Sequence, residues 1–218
     1  MSGADGAVTR LLAGGGGQPR ADARRNVARL VDAARAAVAE VGVQVTAHEI
    51  ARRAGVGVGT FYRRLPSREA LLEAVLADVI DEMLALAREC LRDPDPWRGF
   101  RRFAVDYVQL RVASCGLNEA LGEHRGLDLD PALAELRGHL ERLVTRAVQA
   151  GAMRADVRWP DVAFLLASAV PEPATIGLRA EPEQWRRNLD VILDGLAAPT
   201  SPFSSVKGRV EPGVEGVR

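Results

Sequence analysis

The sequence predicts an all-α protein. Apolar residues recur at spacings of three and four between about residues 22 and 196, and no segment alternates apolar with polar residues as a half-buried strand does. Of the 218 residues, 47% are hydrophobic, which supports a packed core in one or two domains. No apolar run approaches the roughly 20 residues of a membrane span, and no signal peptide is evident. We therefore expect a helical protein of the cytoplasm.

The two ends of the chain differ from the rest in composition. Residues 1–19 contain the run Gly14–Gly17 and few apolar groups, which predicts a flexible leader. Residues 199–218 are rich in proline and glycine, which predicts a disordered tail. Between these ends we expect two helical domains, at 20–66 and 67–198.

Caps and breakers define the helices of the first domain. Gly42 ends a long amphipathic stripe, and Thr46 stands three residues before Glu49 in a capping-box pattern that starts a short helix. Gly55 ends this short helix, and Pro66 stops the next one. The predicted helices cover 22–41, 46–53 and 57–65.

The second domain is also divided by caps and prolines. Ser67 caps a long helix, Pro96 and Pro131 are placed to open two others, and Gly151 closes one of them. The predicted helices cover about 67–91, 96–110, 131–150, 160–169 and 182–196.

Two short helices joined by a tight turn, after a longer helix, form a helix-turn-helix unit. The turn is Ala54-Gly55-Val56, in which Gly55 suits a left-handed backbone. The segment from Arg20 to Arg68 holds ten arginines against four acidic residues, a net charge of +6, although the whole chain is neutral. One basic end on a neutral protein favours nucleic-acid contact, with the second short helix in the major groove.

Residues 46–71 read TAHEIARRAGVGVGTFYRRLPSREAL. This stretch closely resembles the DNA-binding domain of the tetracycline-repressor (TetR) family, whose pattern is roughly T-x-x-x-I-A-x-x-A-G-V-S-x-G-T-L-Y-x-H-F-x-S-K-E-x-L. The resemblance implies an N-terminal three-helix DNA-binding domain followed by a helical domain for ligand binding and dimerisation. It also implies a transcriptional regulator that is not an enzyme.

The resemblance implies DNA contacts for residues of all three helices and of the segments beside them. Thr60 and Tyr62 would touch a phosphate or a thymine methyl, and Thr46 a phosphate at its helix N-terminus. Arg64 stands in the place of the usual histidine and Arg68 in that of the usual lysine, both as phosphate ligands. The implied DNA-binding residues are Arg20, Arg24, Arg25, Thr46, His48, Val58, Gly59, Thr60, Tyr62, Arg63, Arg64 and Arg68.

The other implied contacts are made to base edges, and from the leading arm to phosphate or the minor groove. Val58 and Gly59 would approach base edges, His48 stands where some relatives place a base-reading side chain, and the arginines of 20–25 would reach phosphate or the minor groove. Gly57 departs from the family pattern, because it replaces the usual capping serine.

The resemblance further implies an effector cavity among the C-terminal helices and a homodimer formed through the last two helices. The apolar composition favours a hydrophobic or aromatic small molecule. The expected function is a repressor that this molecule releases from a double-stranded operator, where the recognition helices stand about 34–36 Å apart. The candidate effector-binding residues are Phe100, Phe103, Tyr107, Arg111, Cys115, Leu136, His139, Leu140 and Phe164.

Several alternative functions are compatible with the same pattern. An activator, a regulator without a ligand, or a small-molecule binding module with a vestigial DNA-binding head would share the same helices. Cys115, His124 and His139 follow no recognised metal-ligand spacing, so no metal or other cofactor is expected. Ser114 with Cys115 and His124 lacks an identifiable oxyanion loop and orienting acid, which argues against a catalytic site.

Overall fold

A computed structural model describes residues 4–13, 21–114, 117, 119 and 127–199 of the chain. Within these residues the protein is almost entirely helical, so the predicted all-α fold class is confirmed. The elements are α1 (Ala4–Ala13), α2 (Ala21–Val41), α3 (Ala47–Ala54), α4 (Val58–Arg64), α5 (Arg68–Cys90), α6 (Pro96–Ala113), α7 (Asp130–Gln149), α8 (Trp159–Ser168), β1 (Ala174–Thr175), β2 (Leu178–Arg179) and α9 (Gln184–Leu196).

Helices α2, α3 and α4 pack together as the head, a name we use for residues 21–64. Ile50 of α3 and Phe61 of α4 are fully buried, and Leu30 of α2 closes the same core. Each helix contributes one of these buried side chains, so burying them in one core restrains the angles between the three helices.

Helix α5 connects the head to the rest of the molecule. Its 23 residues span about 34 Å at 1.5 Å per residue, and it packs against α1, α2, α6 and α7. Ser67 caps it as expected, since the hydroxyl oxygen accepts a hydrogen bond from Ala70 N–H at 3.0 Å. A movement of α5 would therefore be felt both by the head and by helices α6 and α7.

The N-terminal segment corrects the expectation of a flexible leader over residues 1–19. Residues 4–13 form helix α1, in which Ala7 and Val8 are buried against α5 and α2. Leu11 and Leu12 are half-buried beside them, so the segment presents an apolar face of helical spacing. The glycine run Gly14–Gly17 lies outside the described residues.

Two further features of the C-terminal region were not predicted. A two-stranded antiparallel hairpin, β1–β2, stands between α8 and α9, and Ile176 at its turn has a positive φ of 42°. Met153 pairs with Ala197, which ties the end of α7 to the end of α9. Of the predicted disordered tail, only Pro199 falls within the described residues. No helix in this described part of the chain is long and apolar enough to cross a membrane.

Candidate nucleic-acid interface and an apolar cavity

The turn between α3 and α4 has the geometry that the sequence predicts. Thr46 adopts an extended backbone, and its hydroxyl oxygen accepts a hydrogen bond from Glu49 N–H at 3.2 Å, which caps α3. Gly55 has φ 65° and ψ 36°, a left-handed conformation that a side chain would strain. The N–H of Val56 then donates to Ala51 O at 3.0 Å and closes the turn. These bonds fix the direction of α4 relative to α3.

Helix α4 buries one side and leaves the other open. Phe61 is fully buried, whereas the side chain next to it, Tyr62, is 57% exposed. Gly57 begins the helix without a side-chain cap, and a Cβ at Gly57 or at Gly59 would meet no atom within 4 Å. Arg63 is exposed as well, with its guanidinium donating to Thr60 Oγ1 at 3.0 Å. The outer face of α4 is therefore unobstructed, as entry into a groove requires.

The start of α3 lies beside this face. Thr46 and His48 are exposed at the first turn of α3, while Ala47 between them is buried. A shallow groove brings together Thr46, Tyr62 and Arg68 of the predicted DNA-binding set with their neighbours. Three of the predicted residues, from three different helices or their ends, therefore share one surface. The groove is lined by Gln44, Thr46, Ala47, Tyr62, Pro66, Ser67, Arg68 and Glu69.

Arg68 differs from the phosphate contact that the resemblance implies. Its Nε donates to Val45 O at 2.5 Å, its Nη2 to Val43 O, and its Nη1 to Glu69 Oε1 at 2.9 Å. The guanidinium thus holds the loop between α2 and α3, because the backbone carbonyls of that loop are the acceptors within reach. Through Val45, next to the cap residue Thr46, Arg68 positions the start of α3.

Many arginines of the basic segment are paired within the protein. Arg52 donates two hydrogen bonds to the Glu49 carboxylate at 2.8 Å, and Arg53 bonds both Glu49 and Glu40 at 2.7 Å. Hydrogen bonds from Arg52 and then Arg53 lower the pKa of Glu49 to about 2. The positive charge of α3 is therefore largely compensated where it stands.

Arg24 and Arg25, which were expected on a leading arm, lie instead at the beginning of α2 and show the same pairing. Arg25 bonds Asp22, and Arg24 lies 3.9 Å from Asp5 of α1, although both arginines are exposed. Arg64 at the end of α4 is exposed and makes no ion pair or side-chain hydrogen bond with any residue in the described part of the chain. Arg20 lies outside the described residues.

A second candidate site is an apolar cavity of about 440 Å³ among α6, α7 and α8. On its α6 wall the rings of Phe103 and Tyr107 stack with centroids 5.6 Å apart, and Arg111 Nη1 donates to the Tyr107 hydroxyl at 3.2 Å. The cavity is lined by Phe103, Tyr107, Arg111, Leu133, Leu136, Arg137, Leu140, Trp159, Pro160, Ala163, Phe164 and Ala167.

The cavity contains six of the candidate effector-binding residues and leaves out two others. Phe100 is fully buried and stacks on Trp97 at 5.6 Å instead of lining the cavity. His139 is buried with Nδ1 at 2.9 Å from Glu135 O, so it is a core histidine with a backbone partner. Cys115 lies outside the described residues. Composition alone does not separate these residues from cavity residues, because core and cavity walls are both apolar.

The remaining lining residues were missed in the sequence. On α8, Pro160, Ala163 and Ala167 recur at spacings of three and four together with Phe164, so that one face of the helix lines the cavity. This periodicity was the available signal. On α7, Leu133 and Arg137 follow the same spacing.

The same end of the molecule exposes large apolar side chains. Phe164 of α8 is 79% exposed and Val191 of α9 is 73% exposed, while Leu165 is partly exposed. The hairpin adds Ile176 and Leu178, both exposed. Apolar surface of this kind, on neighbouring elements, is typical of protein–protein contacts.

Two family models match the chain. Residues 30–75 match the bacterial regulatory proteins of the tetR family, and residues 95–198 match the C-terminal domain of SbtR-like transcriptional regulators. A comparison with curated proteins finds no match.

Solved structures give a consistent result. A TetR transcription regulatory protein from Mycobacterium vanbaalenii is 37% identical, with 82% of this chain and 98% of that one covered and a TM-score of 0.54. A TetR transcriptional regulator from Streptomyces coelicolor is 29% identical, with 80% and 99% covered and a TM-score of 0.57. FadR from Bacillus subtilis, solved in complex with stearoyl-CoA, is 18% identical over 77% of this chain and 98% of that one, with a TM-score of 0.55, and shows the shared fold.

Proposed function

Because the chain belongs to the TetR family of bacterial transcriptional regulators, we propose that it is a homodimeric repressor released from its operator by an apolar small molecule. The observation that supports DNA binding is the open outer face of α4. Thr60 and Tyr62 lie on this face, beside the exposed start of α3. Glycine at the N-cap, Gly57, and at Gly59 in the first turn of α4 allows the backbone to approach base edges closely.

Phosphate contacts are assigned to the groups that surround this face. Tyr62 and Thr46 line one groove, and the backbone N–H groups at the start of α3 favour an anion there. Arg64 supplies an exposed cation at the other end of α4, and Arg63 stands beside it. Base contacts then come from Val58, Thr60 and the neighbouring backbone, and the phosphate contacts fix the register.

The effector is assigned to the cavity among α6, α7 and α8. About 440 Å³ lies within the range of small-molecule sites, and its aromatic and aliphatic walls suit an apolar or aromatic ligand. The complex of FadR with stearoyl-CoA supports the idea that a protein of this fold binds a ligand with a large apolar part. Helices α6 and α7 both pack on α5, so a ligand between them biases the position of α5.

Dimerisation is assigned to α8 and α9. Phe164 and Val191 are large apolar side chains left uncovered on the two helices, and pairing with a second copy would bury both. Two heads on one dimer then read two half-sites of one operator. When the ligand shifts α5, the distance between the heads changes and operator affinity falls by a coupling of roughly 1–3 kcal/mol.

Operator binding is tested with duplexes from the DNA that flanks the coding region, by fluorescence anisotropy at several salt concentrations. We expect saturable, sequence-selective binding at two protomers per operator. Thr60→Ala and Tyr62→Ala should each weaken it at least about tenfold, whereas Thr145→Ala, on exposed α7 surface, should not. Weak, non-selective binding by the wild type would instead favour a ligand-binding protein with a vestigial head.

The cavity is tested with the aromatic dye 1-anilinonaphthalene-8-sulfonate, whose fluorescence rises in an apolar site. Ala163→Trp should fill the cavity and abolish the signal, and Ala134→Trp on the exposed side of α7 should retain it. A panel of apolar aromatic molecules that displace the dye is then added to the operator complex. A tight ligand that leaves operator affinity unchanged would contradict the proposed release mechanism. Reporter expression with and without the protein gives the sign of regulation.

A further inference from the structure

A buried carboxylate on α5 connects three helices. The Asp78 side chain is 4% exposed, and its Oδ2 accepts a hydrogen bond from Ala7 N–H of α1 at 2.8 Å. Arg10 of α1 bonds the other carboxylate oxygen, and Arg35 of α2 reaches Oδ2 at 3.4 Å. Asp78 thus joins α5, on which it lies, to both α1 and α2.

Helix α1 is shaped to dock at this carboxylate. A Cβ at Gly6 would lie 2.5 Å from Asp78 Oδ1, so any larger residue there would displace the carboxylate or α1 from this close contact. The next residues, Ala7 and Val8, are buried in the same contact. Gly6, the N–H of Ala7 and the guanidinium of Arg10 therefore all lie against the carboxylate of Asp78.

Weaker pairs surround the buried one. Arg10 also bonds Asp81, and Arg35 lies 3.3 Å from Glu82, but both of these acids are exposed to solvent. Exposed ion pairs contribute little, whereas a buried carboxylate loses its hydration and depends on its partners. Asp78 therefore restrains α2 relative to α5 more strongly than its neighbours do.

We propose that α1 and Asp78 form a clamp that fixes the angle of the DNA-binding head on α5 and thereby sets the operator half-site spacing that the dimer accepts. Asp78 is a positioning residue in this inference, since it lies within the protein and acts through Arg35 and α2. The inference rests on the proposed function, because spacing has a meaning only for two heads on one operator. A difference of one base pair moves a half-site by about 3.4 Å and rotates it by about 35°.

The test compares operators whose half-sites are moved by one and two base pairs in either direction from the spacing that the wild type prefers. We expect the wild type to bind the preferred spacing about tenfold more tightly than the nearest alternatives, equivalent to about 1.4 kcal/mol. Asp78→Asn removes the charge that holds two arginines, and it should reduce this ratio to about twofold, or 0.4 kcal/mol. The matched control Asp81→Asn should keep the ratio of the wild type.

A second variant starts the chain at residue 14 and lacks α1. It should lose the spacing preference in the same way, while the affinity of an isolated half-site stays unchanged, because α3 and α4 are intact. The affinity for an isolated half-site distinguishes a head that is folded but no longer held at a fixed angle from a head that is unfolded. If Asp78→Asn does not fold, the truncated chain carries the test.

The outcomes of these experiments distinguish failure of the clamp from failure of the proposed repressor function. Spacing preference that survives in both variants overturns the clamp and leaves the repressor function standing. Loss of half-site affinity together with spacing preference also overturns it, because the clamp would then only stabilise the fold. Absence of saturable binding by the wild type overturns the proposed function and the clamp with it.

Discussion

Replacing Arg64 with alanine should flatten the salt dependence of operator binding, whereas replacing Arg68 should leave that dependence unchanged. Arg64 is exposed at the end of α4 and, within the described residues, has no side-chain partner to compete with a phosphate. The Arg68 guanidinium is held by Val43 O, Val45 O and Glu69. The two arginines lie four residues apart, so they form a matched pair.

The expected magnitude follows from counterion release. Each phosphate contact contributes about 0.9 to the slope of log K against log salt, and a homodimer loses two contacts when Arg64 is changed, so the slope should fall by about 1.8. Between about 50 and 200 mM salt, this difference amounts to about twelvefold in affinity. Arg68→Ala should instead lower the free energy of unfolding by about 2 kcal/mol, since charged hydrogen bonds to backbone carbonyls are lost.

Anisotropy titrations at five salt concentrations measure the slopes, and urea denaturation measures the stabilities. Arg101→Ala, which changes an exposed arginine of α6 remote from the head, controls for the loss of one positive charge. The reasoning is refuted if Arg68→Ala lowers the slope as much as Arg64→Ala, or if Arg64→Ala leaves it unchanged.

Three other predictions concern the head core, its ion pairs and the dimer. Phe61→Ala empties a fully buried site and should cost roughly 3–5 kcal/mol in urea denaturation, with loss of operator binding; a cost below about 1 kcal/mol would contradict this packing. Because the folded-state pKa of Glu49 is lowered from 4.5 to about 2, its stabilising effect is present above pH 4.5 and is lost as the pH falls toward 2. The difference in melting temperature between the wild type and Glu49→Gln should therefore shrink over this range, and a constant difference would exclude the ion pair as its cause. Phe164→Glu should convert the dimer to a monomer in light scattering, while Val112→Glu on exposed α6 should not; a dimer that persists in Phe164→Glu would remove α8 from the interface.

The sequence was sufficient for the fold class and the family because both depend on local signals. The cap at Thr46, the left-handed Gly55 and the buried Phe61 are each determined within a few residues. The hydrogen bonds and the burial at these positions involve residues close by in the sequence, so the helix-turn-helix can be predicted from the sequence alone.

Contacts between distant residues were not predictable in the same way. Helix α1 has only ten residues and depends for its docking on Asp78, which is about 70 residues away. Arg68 occupies a position that resembles a phosphate ligand, but the carbonyl groups of a loop more than 20 residues earlier attract it instead. The tertiary neighbours decide both cases, because the apolar face of α1 is too short to predict a stable helix by itself and the acceptors of Arg68 leave no mark in the local pattern.

Cavity residues posed a different difficulty. Phe100 and Phe103 lie on the same helix with the same chemistry, yet one is enclosed by the core and the other lines the cavity. The difference depends on the neighbours of each ring, since Phe100 stacks on Trp97 and Phe103 stacks on the cavity residue Tyr107. Helical spacing predicts which residues face inward but not whether the space they face is filled.

The internal pairing of the head's arginines has a consequence for the kinetics of target search. Carboxylates hold Arg25, Arg52 and Arg53, so the head presents a much smaller uncompensated charge than its arginine count suggests. Long-range steering toward DNA scales with net field, while orientation on arrival depends on where the remaining charge stands. For the proposed regulator, with Arg64 at the end of α4, we expect most random encounters with DNA to dissociate quickly and productive ones to begin with α4 facing the DNA. We therefore expect brief sampling of non-specific DNA, with a residence time on the operator that depends on how well the two heads of the proposed dimer fit two half-sites.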